Sequence, residues 1–152
     1  MLHRYVLPPA AVSVAEAPLQ IMPSLLATPE LSVSVINKIG LENIQQYEQE
    51  LLDYATSKLS AVDGIRFIGT ADNKASVVSF IVGTIHPYDM GVILDHLGIA
   101  VRTGHHCTQP LMDYYCIPGT VRASLAFYNT KEEIDVLAEA VQKAVTMLKV
   151  QG

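Results

Sequence analysis

Apolar residues Ile44, Tyr47, Leu51, Ala55 and Leu59 recur at steps of three and four, while Glu42, Gln45, Glu48 and Glu50 fall mostly off that stripe. A period near 3.6 marks the buried face of a helix, and Asp63-Gly64 closes it. The pattern then changes. Residues 65–68 form a short strand candidate, and residues 75–82 are an unbroken run rich in β-branched side chains, as in a strand buried on both faces. Pro87 suits the first turn of a second helix, with Met90, Ile93, Leu94 and Leu97 inward and Gly98 at its end. Residues 99–101 and 121–126 read as two further strands. Thr130 and Glu133 form a capping box for a last helix, in which Ile134, Leu137, Ala138, Val141, Val145 and Leu148 keep the helical period. The order helix, strand, strand, helix, strand, loop, strand, helix predicts an α/β (α+β) fold, a small mixed sheet with helices packed on it.

Residues 1–30 depart from this regularity. Five of the eight prolines lie there, at Pro8, Pro9, Pro18, Pro23 and Pro29. Proline withholds a backbone donor and is excluded from helix interiors. The segment therefore reads as extended and weakly structured, and residues 31–152 as one folded domain. The chain has 152 residues, and a domain of that size buries roughly 70% of its unfolded surface without staples. Half the residues are hydrophobic and 16% are charged, which argues against wholesale disorder. The net charge is −5, and the lysines and arginines form no basic stripe, so nucleic acid is not an expected partner. No apolar run approaches the roughly 18 residues needed to span a membrane. Arg4, an apolar stretch over 5–14 and Ala15-Glu16-Ala17 have the outline of a secretory leader. Pro8-Pro9 interrupts that stretch and Pro18 follows the would-be cut. The two cysteines, Cys107 and Cys116, are too few for a disulfide framework, and a reducing cytoplasm fits better.

Function-grade residues concentrate in one loop, Arg102-Thr103-Gly104-His105-His106-Cys107-Thr108-Gln109-Pro110. Gly104 and Pro110 are expected to keep it out of regular structure, and loops on a rigid scaffold are where catalytic groups tend to sit. The thiolate is the reactive form of cysteine, and cations favour it. Arg102 is permanently charged, and His105 and His106 can be. Composition alone leaves two readings of Cys107 open, a reactive thiol or a small buried hydrophobe. Cys116, between Tyr115 and Ile117, has no such neighbours and reads as packing. His105, His106 and Cys107 are all metal-ligand types, but consecutive residues of an extended loop point alternate ways and no second pair stands at a zinc-like spacing. No metal is expected. His86, before Pro87, reads as a turn or cap residue. Arg122 lies inside a strand pattern, where a charge is costly unless paired. It is either an outward, solvated arginine or a planar fork for a carboxylate.

Two segments, Arg102-Thr-Gly-His-His-Cys-x-Gln-Pro-Leu-Met112 and Pro118-Gly-Thr-Val-Arg-Ala-Ser-Leu-Ala-Phe-Tyr-Asn-Thr130, carry a resemblance. From about Leu41 to Leu148 the sequence resembles the C-terminal domain of the group II cysteine desulfurases, class V aminotransferases that include the selenocysteine lyases. The resemblance implies the small domain of a fold-type I pyridoxal-phosphate enzyme. It also implies a chemistry. Pyridoxal phosphate forms an adduct with L-cysteine, the loop cysteine takes the sulfur as a persulfide, alanine leaves, and the sulfur passes to an acceptor protein for iron–sulfur cluster assembly. On this resemblance Cys107 is the persulfide-forming residue, Arg122 grips the substrate carboxylate, Arg102 lines the same site, and His106 and His105 belong to the site loop.

The sequence also departs from that family. A full-length member has a large N-terminal domain that holds the cofactor and supplies a Schiff-base lysine in a Ser-His-Lys context. None of Lys38, Lys58, Lys74, Lys131, Lys143 or Lys149 has that context, and no segment offers a phosphate cup. The chain therefore reads as the small domain of a truncated, rearranged or split desulfurase. It is expected to bind no pyridoxal phosphate covalently and to be inactive without the missing domain. The surface that would meet that domain is also expected to self-associate or to be covered by the proline-rich segment 1–30. A non-enzymatic sulfur carrier and a non-functional remnant are the alternatives.

Overall fold

The computed structural model describes residues 29–71 and 74–149. The expectation of a weakly structured segment over 1–30 therefore lies outside the described residues, apart from Pro29 and Glu30, which open the first helix. Gly40, at φ 87°, adopts a conformation that glycine takes at little cost, and it divides the first helical stretch into α1 (Pro29–Ile39) and α2 (Leu41–Ser60). Leu51, Leu52, Ala55 and Leu59 are buried along α2, so the face read from the apolar period is the one that packs.

Strands β1 (Ile65–Ile68) and β2 (Val77–Val82) follow, then α3 (Pro87–His96), β3 (Arg102–Gly104), α4 (Gln109–Tyr115), β4 (Thr120–Ser124) and α5 (Lys131–Lys149). The sheet order is β1-β2-β4-β3. Each pairing is antiparallel, so the mixed sheet expected from the sequence is corrected. Strands β2 and β3, joined through α3, run the same way, but β4 inserts between them and pairs antiparallel to both. Val78, Phe80 and Val82 face a core completed by Val121 and Ala123 of β4 and by apolar side chains of α2, α3 and α5. Among the described elements none covers the opposite face. Burial along β2 alternates between half-buried and buried, so this strand is not enclosed on both sides as its apolar run suggested.

Other local expectations also shift. His86 is the N-cap of α3, its ring nitrogen accepting from the Tyr88 amide at 3.2 Å, as read. The Thr130–Glu133 capping box forms, with Thr130 N–H donating to Glu133 Oε2 at 3.0 Å and Glu133 N–H to Thr130 Oγ1 at 3.3 Å. Buried Asn129 adds a bond to the same carboxylate at 2.9 Å. The third strand begins at Arg102 rather than Ile99, because Ile99 turns into the core and the ladder starts only where Arg102 meets Arg122. The segment after Cys107 is not all loop. Pro110 falls at the start of α4, where proline costs no helical hydrogen bond.

Candidate active site

The register of β3 on β4 sets the site. Arg102 pairs directly with Arg122, and Gly104 with Thr120, so the two guanidinium side chains rise side by side from the sheet face that carries no helix. Like charges placed directly across a ladder repel, and no carboxylate of the described residues pairs with either arginine. Arg102 is exposed. Arg122 is half-buried, and its Nε is buried with no hydrogen-bond partner. A fully solvated outward arginine would not bury an unpaired N–H, so Arg122 holds an unsatisfied donor beside the Arg102 charge.

Strand β3 delivers the chain from this pair into a tight turn. The His105 carbonyl accepts from Thr108 N–H at 2.9 Å and from the Thr108 hydroxyl at 2.7 Å. The two central residues, His106 and Cys107, have φ of 53° and 63°, the signature of a type I′ turn, which normally takes Gly, Asn or Asp. Cys107 is exposed, so it is not a packed hydrophobe. His106 lies inward. Its Nε2 shares a hydrogen bond with Thr120 Oγ1 at 2.9 Å, and its Nδ1 is buried without a partner. Burial, then the Arg122 guanidinium, then Arg102 and His105 hold the His106 imidazole below its ordinary value of 6.5, against the opposing hydrogen bond of the Thr120 backbone. This disfavours the charged form of His106 beside the thiol. His105 is exposed and joins neither the arginine pair nor the Thr120 contact.

Cys116 is corrected as well. It is exposed, at φ 52°, as the C-cap of α4, with Sγ 3.5 Å from the Asp113 carbonyl oxygen. It lines an open groove of about 360 Å³ with Arg66 and Ile81. Thr120 is the residue that sequence reasoning passed over. Its only signal was a hydroxyl at a buried position next to Gly119, with nothing to say that it reaches His106.

The turn with its exposed thiol follows directly on the strand that pairs Arg102 with Arg122, in a small α/β domain. The chain belongs to the class V aminotransferase family, whose model matches residues 25–137. It is 46% identical over 117 residues to a probable cysteine desulfurase of Xylella fastidiosa, covering 77% of this chain and 28% of that protein. It is 47% identical over 117 residues to a cysteine desulfurase of Escherichia coli O127:H6, covering 77% and 29%. Among solved structures it is similar to the apo cysteine desulfurase of Thermococcus onnurineus NA1, with TM-score 0.72, 36% identity and coverage of 77% of this chain and 30% of that one. The cysteine desulfurase CsdA of Escherichia coli, in its S-sulfonic acid form, gives TM-score 0.70 and 31% identity over 77% and 29%. The chain thus spans less than a third of the length of the relatives it matches.

Membership implies pyridoxal phosphate. The arginine pair suits a carboxylate, but the described residues do not fit the cofactor itself. Lys58 is ion-paired to Asp135 at 2.7 Å, Lys131 lies over the Tyr54 ring, and Lys74 donates to the Gly69 carbonyl. None of these amines turns toward the arginines.

Proposed function

We propose that this chain is the sulfur-accepting domain of a cysteine desulfurase. Cys107 attacks the sulfur of L-cysteine. An S–S bond forms as the substrate C–S bond breaks, the electron pair stays on the substrate carbon, and that carbon takes a proton to leave as alanine. An acceptor protein's thiol then takes the outer sulfur and returns Cys107 to its thiolate, the sulfur going on to iron–sulfur cluster assembly. Arg122 and Arg102 hold the substrate carboxylate. The observation that carries this reading is the exposed Cys107 on a left-handed turn three residues beyond the strand that aligns the two arginines.

Pyridoxal phosphate, when bound, supplies the electron sink that this chemistry needs, and the remainder of the enzyme is assigned to hold it. The domain by itself is accordingly inactive. A chain with two cysteines, too few for a disulfide framework, suits a reducing compartment, and the cytoplasm is the location proposed. Among the described residues no helix is long and apolar enough to cross a membrane.

Alanine release tests the assignment. The purified chain with pyridoxal phosphate and L-cysteine should release none. A chimera in which it replaces the matching stretch of the Escherichia coli desulfurase should release alanine, and Cys107→Ser should end turnover. A chimera that binds cofactor and stays inert would sink the proposal. Release by the chain alone would overturn the claim that it depends on the rest of the enzyme. Sulfur arriving on Cys107 only from a separate, intact desulfurase would favour a carrier instead.

A further inference from the structure

The turn that carries Cys107 is formed against its own sequence. His106 and Cys107 stand consecutively in the left-handed region, and residues so placed persist only where their surroundings over-determine them. The base of the loop is fixed from two sides. Gly104 pairs with Thr120 in the ladder. Gly119, at φ 145°, lies so close to Gly104 that a Cβ there would fall 2.9 Å from its carbonyl carbon and oxygen. Both contacts stop short of the turn. One side-chain contact reaches it from the sheet: Thr120, only 2% exposed, meets His106 Nε2 through its hydroxyl at 2.9 Å. Since His106 Nδ1 is buried and unpartnered, this is the one side-chain hydrogen bond of the ring among the described residues, and the Thr120 backbone adds to it.

We infer that Thr120 is a positioning residue for Cys107, its hydroxyl seating the His106 imidazole against the sheet and so fixing the left-handed turn that presents the thiol. The consequence for sulfur transfer rests on the reading of Cys107 given above, but the anchor does not. The charged and titratable groups facing the seated ring are Arg122 from β4, Arg102 from β3 and His105 from the turn. With burial, they keep it neutral while it is held. Without the hydroxyl, Nε2 loses its one side-chain partner while Nδ1 stays unpaired, and the ring gains by turning toward solvent.

The test uses the full chain carrying Cys116→Ser, so that Cys107 is the single thiol. The His106 ring is titrated by NMR, and Cys107 alkylation is followed against pH. The midpoint should lie below 6.5 in this background and in Thr120→Ser. In Thr120→Val it should rise to about 6.5, the ordinary imidazole value, and the alkylation profile should gain a second step at that pH as an imidazolium forms beside the thiol. A Thr120→Val midpoint that stays put or falls overturns the inference, as does a Thr120→Ser protein that behaves like Thr120→Val. Should Thr120→Val not fold, the unsubstituted ring decides: its nitrogen shifts should report one neutral tautomer, and an averaged pair overturns the anchor. Absence of sulfur on Cys107 with this titration intact would remove the proposed function and leave the anchor standing. A lost titration signature with sulfur still arriving would do the reverse.

Discussion

His106 is where one side chain makes the whole domain sensitive to pH. Its folded-state value lies below the ordinary 6.5 because burial and the Arg122 guanidinium oppose its protonation. Between that depressed value and 6.5 the unfolded chain binds the extra proton and the folded chain does not, so stability rises with pH there. The contribution is complete above about 6.5 and is lost as pH falls through the folded value. Asp135, held down by Lys58 and Tyr54, loses its contribution only below its ordinary 3.8, a separate window. Thermal melts between pH 5 and 8 should show a declining Tm below about 6.5, with the slope flattened in His106→Gln; an unchanged slope would contradict the assignment. At this scale the residue types were legible: Cys107, Arg102 and Arg122 stand in the sequence as candidates. Their arrangement was not. His106-Cys107 lacks the Gly, Asn or Asp that marks such a turn, and only the pairing of Arg102 with Arg122 reveals that two charges share one face.

Elements whose limits depend on local chemistry were the readable ones. The capping box at Thr130 and Glu133 and the cap at His86 are short-range bonds that a sequence can specify. Elements set by tertiary pairing were not: β3 begins at Arg102 because β4 is there to pair with it, and the seven-residue α4 is too short for its period to stand out. The cap on α5 should matter in proportion to its bonds. Thr130→Ala removes the hydroxyl that accepts from Glu133 N–H and should cost about 1 kcal/mol in urea unfolding. No measurable loss would mean that buried Asn129 and Glu133 hold the helix start without it.

On the scale of the whole molecule, the helices among the described residues pack on one side of the sheet. Helices α2, α3 and α5 enclose Val78, Phe80 and Val82, while the opposite face carries half-buried Val77, Ser79 and Ile81 beside the arginine pair. We propose that this face meets the rest of the enzyme, and that two copies of the isolated chain meet through it in its absence. Light scattering after gel filtration should then give a mass that rises with concentration. A monomer at every concentration would count against it. The layered α/β class was visible in the sequence because helical periods near 3.6 alternate with short apolar, β-branched runs along it. The antiparallel order was not, since the insertion of β4 between β2 and β3 leaves no local trace. The account stands or falls on Cys107. In the cofactor-loaded chimera, brief exposure to L-cysteine followed by alkylation and peptide mass spectrometry should find one extra sulfur atom on Cys107 and none on Cys116. A folded, cofactor-loaded chimera with Cys107 free of sulfur would contradict the central claim.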